Sequence, residues 1–212
     1  MRTLILFGLL AGVAQAAGDF VLIPGGEVRP GSAWSRVDDF EMAVHPVTNA
    51  EYKPFVDAAR HAAPLHWRNG QIPAGMERYP VIFVNRFDVD DYLKWRSRKE
   101  HRSYRLPTIS EFELAARGGV AGGKYPWGQD AAEGKANYDA NGQRTFAEWR
   151  KFLKPVQSYT PNGFGLYDMS GNVWQMVNLT PDEALARFKY RVEDLVSEEN
   201  SLTGGSWARS GM

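Results

Sequence analysis

The chain of 212 residues contains no cysteine. This absence excludes disulfides and thiol chemistry within these residues. The chain also has no net charge, because its 25 basic residues balance its 25 acidic residues. A neutral chain offers no basic surface that would favour nucleic acid. Stability must therefore come from packing, with a bound ion as a further source.

Long apolar runs are also scarce, and the longest lies at the N-terminus. Arg2 supplies a positive charge, residues 4–13 are apolar, and Ala14-Gln15-Ala16 has the small-x-small pattern of a cleavage site. The run is too short to span a bilayer. We therefore predict that residues 1–16 are a signal peptide, that the mature protein is periplasmic or secreted, and that it has no membrane span. A buried N-terminal strand or helix is the alternative.

What the chain has in abundance is glycine and aromatic residues, and both are concentrated in residues 162–176, NGFGLYDMSGNVWQM. Glycine in a helix interior costs about 1 kcal/mol relative to alanine, so this spacing predicts tight turns between short strands. Asp168, Asn172 and Gln175 bring oxygen atoms within a few residues, as a hard cation such as Ca²⁺ requires. A hydrogen-bonded turn without an ion is the alternative.

The remaining chain alternates short strands and capped helices. Thr48 and Thr108 each precede a glutamate by three residues, which predicts two capping boxes, and Gly118 predicts the end of the second helix. Strands are predicted at 20–23, 40–44 and 81–84. Further helices are predicted at 88–98, with Asp88 as its cap, and from Thr180 to about residue 197. A kink or a shortened start is expected at Pro54. His61 and His66 are interpreted as exposed loop residues rather than metal ligands.

Four motifs in one order point to a known family. They are residues 46–52 (PVTNAEY), 105–119 (RLPTISEFELAARGG), 163–176 (GFGLYDMSGNVWQM) and 204–207 (GGSW). Together they resemble the formylglycine-generating enzyme, or sulfatase-modifying factor, family. The resemblance spans roughly residues 20 to 207. It implies one α+β domain over residues 17–212, with the irregular, loop-rich, C-type-lectin-like fold of that family.

The resemblance also implies a calcium site. By position it would include Asp168, Gly171, Val173 and Gln175, the second and third through backbone carbonyls, and Asn137 from a separate segment. Gln175 stands where the family has glutamate. Losing that charge is expected to weaken the site.

The family's catalytic chemistry is a different matter. Its enzymes bind Cu(I) through two cysteines after the GGSW motif, and the first falls on Arg209. Cu(I) selects thiolates and thioethers, so no copper-thiolate site can form here. Trp174 and Ser206 match other positions of the active-site groove in that family. Each is either a functional residue or a structural one. The family also continues past this motif, so we expect the domain to lack the last family strands, through adaptation or truncation.

These observations leave two hypotheses for the function. The first is a non-catalytic, exported accessory or binding protein for a client protein or small ligand. The second is a periplasmic oxidative maturation enzyme, of the siderophore-chromophore or non-haem iron type. Copper-dependent formylglycine generation is not expected.

Overall fold

The structure is a computed structural model that describes residues 19–29, 34–120, 125–130, 133–139, 145–178 and 202–203. The predicted signal peptide, the helix predicted from Thr180, and the candidate site residues Ser206 and Arg209 lie outside these described residues. No helix in the described part is long and apolar enough to cross a membrane.

The described strands form three two-stranded antiparallel sheets. The first joins β1 (Phe20–Ile23) to β4 (Phe40–Ala43), with Phe20 opposite Ala43. The second joins β2 (Gly26–Val28) to β3 (Ser35–Val37), and the third joins β5 (Gln175–Met176) to β6 (Leu202–Thr203). Strands of two to four residues are typical of a loop-rich fold, as the glycine content predicts.

The helices begin at the residues that their caps dictate. They are α1 (Asn49–Ala59), α2 (Arg86–Glu100), α3 (Ile109–Arg117) and the single turn α4 (Trp149–Phe152), which follows a 3-10 turn at Phe146–Glu148. Both predicted capping boxes are confirmed, since Thr48 and Thr108 each accept a hydrogen bond from the backbone of the glutamate three residues on. Gly118 ends α3 with φ of 58°.

Two local predictions were wrong, and one of the two effects expected at Pro54 is absent. The cap of α2 is Asn85, and Asp88 is instead the third residue of its capping box. Residues 81–84 form no strand, because only Pro80 makes a bridge, to Thr48. α1 begins directly after Thr48 and continues through Pro54, so the proline does not shorten its start.

The apolar residues form two cores. One packs α3 against β1 and the 162–178 stretch, and its buried members are Ile23, Phe112, Ala115, Leu166, Met169 and Val177. The other is aromatic and joins α1 to α2 through Tyr52, Phe55, Val56, Trp67 and Tyr92. A buried polar contact supports the second core, because the indole N–H of Trp67 donates to the Asn49 side chain at 3.1 Å.

The glycine-rich stretch is anchored to α3 by Asn162. Asn162 accepts from the backbone N–H groups of Phe164 and Leu166 and donates to the Ala115 carbonyl at the end of α3. At Gly163 a Cβ would lie 2.2 Å from the Gly118 carbonyl oxygen, so only glycine allows this approach. The prediction of tight turns is therefore confirmed, and these turns attach residues 162–178 to α3.

Candidate functional site

A cleft of about 1010 Å³ opens between β4, residues 80–84, α2 and β5. It has the size of a small-molecule or peptide site. Its walls are largely apolar or aromatic, and they include Phe40, Met42, Ile82, Phe83, Val84, Val89, Leu93, Trp149, Met169, Val173, Trp174 and Met176. We call this feature the cleft.

Four arginines line the cleft, and each has a carboxylate partner. Arg86 pairs with Asp90 at 2.9 Å and Arg96 pairs with Glu100 at 3.0 Å. Arg102 pairs with Glu41, and Arg105 forms two hydrogen bonds to Glu111, at 2.6 and 2.7 Å. Because every guanidinium is paired, the cleft presents little net charge to a ligand.

The Arg105–Glu111 pair also holds the start of α3. Burial alone would raise the pKa of Glu111, but hydrogen bonds from Arg105 and from Thr108 outweigh it and hold that pKa below its usual range. One oxygen of Glu111 also accepts the Thr108 backbone N–H at 2.7 Å. The ionised carboxylate therefore fixes this wall of the cleft through both a salt bridge and a helix cap.

On another wall, arginines stack on aromatic rings. Arg96 lies over Tyr104 at 4.8 Å and over Phe20 at 5.3 Å, and Arg102 lies over Phe20 at 5.0 Å. Cation–π contacts of this kind immobilise long side chains. At the basic end of α2, Arg96 is held by Glu100 and by these rings, Lys99 lies over the Trp95 ring at 4.8 Å, and Arg98 is exposed.

Of the groove residues predicted from sequence, the structure describes Trp174 alone. Trp174 lines the cleft and is 40% exposed. A large aromatic ring exposed inside a cleft offers contact area to a ligand. Ser206 and Arg209 belong to the part of the chain that the structure does not describe.

The predicted calcium ligands are linked in two groups. Gln175 donates its side-chain N–H to the Asp168 carbonyl at 2.8 Å, and the Asp168 carboxylate accepts the Gln157 backbone N–H at 2.9 Å. Gly171 lies against Asn137, where a Cβ would sit 2.5 Å from the Asn137 carbonyl oxygen. Val173 donates its N–H to the Gly171 carbonyl at 2.8 Å.

These residues offer carboxylate, amide and carbonyl oxygens, which are the ligand types that a hard cation binds. Burial raises the pKa of Asp168, although the Gln157 bond and the charge of His45 act against it. A partly buried carboxylate of this kind is stabilised in its charged form by a nearby cation. Because Gln175 uses its amide nitrogen on Asp168, its amide oxygen remains for an ion. By the family resemblance, Asp168, Gln175, the carbonyls of Gly171 and Val173, and Asn137 are the residues that would hold Ca²⁺.

Asn172 has a role that the sequence did not predict. It is 1% exposed, and its side-chain oxygen accepts from Asn137 and from the Lys154 backbone at 3.0 and 3.1 Å. Its amide group donates to the Lys154 carbonyl at 3.1 Å. Asn172 therefore joins three segments rather than serving as the cation ligand that its spacing indicated.

His66 was interpreted as an exposed loop residue, and this was wrong. It is only 7% exposed, and neither ring nitrogen has a hydrogen-bond partner among the described residues. Its ring packs against Trp67, Phe83 and Trp149, with centroids 5.3 to 6.2 Å away. Burial, with a smaller effect of Arg150, lowers the pKa of His66 to about 4. No local pattern marks this residue, since its neighbours come from distant segments.

The fold and the cleft define a mixed α+β domain with an aromatic groove between its helices and its short strands. Comparison with known proteins identifies the family. Residues 7–211 match the sulfatase-modifying factor enzyme 1-like domain, and the chain belongs to this family. The resemblance seen in the four sequence motifs is confirmed.

Three relatives show similarity over 45% to 74% of this chain. The formylglycine-generating enzyme of Streptomyces coelicolor is 29% identical over 73% of this chain and 67% of its own length. The serine/threonine-protein kinase pkn1 of Chlamydia pneumoniae is 31% identical over 74% of this chain, which spans only about 27% of that kinase. The inactive C-alpha-formylglycine-generating enzyme 2 of Mus musculus is 40% identical over 45% of this chain and 30% of its own length.

Solved structures show the same fold. PvdO from Pseudomonas aeruginosa superposes with a TM-score of 0.64, covering 90% of this chain and 83% of its own at 24% identity. CarF superposes with a TM-score of 0.61, covering 76% of this chain and 80% of its own at 23% identity. The predicted α+β fold of the family is thereby confirmed.

Proposed function

We propose that this chain is an exported, non-catalytic binding member of the sulfatase-modifying factor family. It holds a neutral, largely apolar part of a client protein or small ligand in the cleft. The observation that carries this proposal is the cleft itself, with aromatic walls and with all four of its arginines paired to carboxylates. Paired charges favour a ligand that brings no net charge.

The absence of thiols supports a role without copper. The 212 residues contain no cysteine, and Arg209 stands where the family's enzymes carry the first copper ligand. A guanidinium cannot replace a thiolate for Cu(I). The mouse relative, 40% identical over part of the chain, is itself named an inactive enzyme, which supports the same interpretation.

We also propose that calcium is bound by the 168–175 turn and contributes to stability rather than to a reaction. The support is the partly buried residue Asp168, whose backbone carbonyl accepts a hydrogen bond from the Gln175 side chain. A hard cation would stabilise the charged form of Asp168.

Binding to the cleft can be tested directly with short acetylated peptides. Neutral, apolar peptides are expected to bind, and charged ones are not. Ile82→Glu places a charge in the cleft wall and should abolish this binding. Leu65→Glu is the matched control, because Leu65 is 88% exposed and does not line the cleft. Equal binding to both variants would contradict the proposal.

The proposed calcium site and the proposed lack of catalysis are tested by thermal unfolding with chelator and then with Ca²⁺, Cu⁺ or Fe²⁺. A ligand at one hundred times its dissociation constant stabilises by about 2.7 kcal/mol, which is a shift of several degrees. We expect a shift with Ca²⁺ alone and no oxygen uptake with a sulfatase-type cysteine peptide. A shift with Fe²⁺ together with oxygen uptake would favour the oxidative maturation enzyme predicted as the alternative.

A further inference from the structure

The His66 side chain is a buried polar group next to the cleft. The His66 ring has both nitrogens buried and without a partner among the described residues. Buried polar groups in folded proteins are normally hydrogen-bonded, and each exception requires an explanation. An apolar residue of similar size would fill the same space without that cost.

His66 lies directly behind the cleft wall. Two of the rings that pack against it, Phe83 and Trp149, also line the cleft. Those two rings meet edge to face with their centroids 5.5 Å apart. A ligand group that parted Phe83 from Trp149 would therefore meet the His66 imidazole.

The wall at this point has two unusual backbone features. Phe83 has φ of 59°, a left-handed conformation that bulky residues rarely adopt. Such strain is concentrated at ligand clamps and switch regions. Trp149 begins α4, a four-residue helix whose N-cap, Glu148, makes no side-chain capping bond. Phe83 thus has a backbone conformation that is rare for its residue type, and Trp149 is the first residue of a short helix without a side-chain cap.

The chemistry of the imidazole indicates what it would bind. His66 is neutral near pH 7, because burial lowers its pKa to about 4, and a neutral imidazole has one N–H donor and one acceptor nitrogen. Among the described residues neither nitrogen has a hydrogen-bond partner, so these residues fix neither tautomer. A hydroxyl both donates and accepts, and it therefore suits whichever nitrogen faces the cleft. A carboxylate only accepts and so suits only the tautomer whose N–H faces the cleft, and an ammonium would be repelled by Arg150, whose guanidinium lies 5.1 Å from the Trp149 ring.

We infer that His66 is the polar end of a subsite behind Phe83 and Trp149, and that it binds a hydroxyl group carried on an apolar body. This inference rests on the proposed function of the cleft and adds the ligand class that the cleft selects. The hydroxyl can come from a small alcohol or from a client side chain such as serine. The two sources share the same chemistry.

The test compares two probes that differ by one hydroxyl, benzyl alcohol and toluene, in NMR titrations that follow the indole N–H signal of Trp149. We expect the wild-type chain to bind benzyl alcohol about tenfold more tightly than toluene. His66→Leu should bind both equally and should melt at a higher temperature, since it removes a buried unpaired group. His66→Gln, which keeps a donor and an acceptor, should retain part of the preference.

His61→Leu is the matched control. His61 is partly buried and lies outside the cleft, and its Nδ1 is 3.0 Å from the Ala62 carbonyl. This variant should lose stability and keep the wild-type preference for benzyl alcohol. A peptide pair that differs by serine against alanine, tested in the same way, separates a client side chain from a free alcohol.

The outcomes separate this inference from the proposed function. If benzyl alcohol and toluene bind the wild-type chain equally, or if His66→Leu keeps the preference, the role of His66 is overturned while binding in the cleft stands. If no apolar probe and no neutral peptide binds, both proposals fall.

Discussion

Two buried polar side chains, Asn172 and His66, show opposite solutions to the same physical problem. Asn172 is 1% exposed, and its amide makes three hydrogen bonds to Asn137 and Lys154. His66 is nearly as buried and has no partner among the described residues. A satisfied buried amide stabilises one arrangement of the chain, whereas an unsatisfied imidazole costs stability. The first kind of residue builds the fold, and the second is available to a ligand.

The difference predicts that Asn172 is among the most sensitive positions of the domain. Asn172→Ala leaves the amide of Asn137 and two backbone groups of Lys154 without this partner. We expect a loss of roughly 3 kcal/mol or more in the free energy of unfolding, at 1–3 kcal/mol for each unsatisfied group. Urea unfolding of the purified variant measures it.

Asn69→Ala is the control for the backbone of Asn172. Both asparagines have positive φ, 64° and 52°, but Asn69 is exposed. Asn69→Ala therefore carries the backbone cost without the buried bonds. Equal losses in the two variants would show that the hydrogen bonds of Asn172 contribute nothing.

His66 makes the opposite prediction, a penalty that appears on acidification. Its pKa is about 4 in the folded chain and 6.5 ordinarily. Between these values the unfolded chain binds a proton that the folded chain does not, so stability falls as pH falls from 6.5 towards 4. The gap in pKa corresponds to roughly 3 kcal/mol.

Other groups titrate in the same range, and so the quantity to measure is the difference between the wild-type chain and His66→Leu. That difference should widen in favour of the variant as the pH is lowered from 7.5 to 4. A constant difference across this range would mean that His66 takes up its proton in the folded state as readily as in the unfolded one.

The contact between the turn and α3 predicts a smaller loss. Gly163→Ala would bring a Cβ to 2.2 Å from the Gly118 carbonyl oxygen, which is backbone and cannot rotate away. We expect a loss of about 1–3 kcal/mol by urea unfolding. In Gly26→Ala, the control, the Cβ would meet only the Leu114 side chain at 3.5 Å, and stability should change by less. If Gly163→Ala were as stable as the wild-type chain, α3 and the turn could separate without loss of stability.

The comparison also shows what could be read from the sequence. The caps at Thr48 and Thr108 and the stop at Gly118 were predictable because their partners lie within a few residues. Asn85 was missed although an Asn with an Asp three residues later is a capping pattern. The burial of His66 and the pairing of Arg102 with Glu41 depend on segments far apart in the chain, and no local pattern encodes them. The same is true of Asn172, whose partners at 137 and 154 are brought to it only by the fold.

The calcium proposal predicts the smallest effect on stability, and this effect changes sign when Ca²⁺ is added. Gln175→Glu restores a carboxylate beside Asp168 but removes the N–H that donates to the Asp168 carbonyl. Without Ca²⁺ the variant should be less stable than the wild-type chain by about 1 kcal/mol, since a hydrogen bond is lost and two carboxylates come close. With saturating Ca²⁺ the order of stability should invert, because added ligand charge strengthens the site.

Melting curves in chelator and in millimolar Ca²⁺ measure both states. The control is Gln157→Glu, which adds the same charge while its backbone N–H still bonds Asp168. If Gln175→Glu stays the less stable protein at every Ca²⁺ concentration, residues 168–175 form a hydrogen-bonded turn that takes no ion.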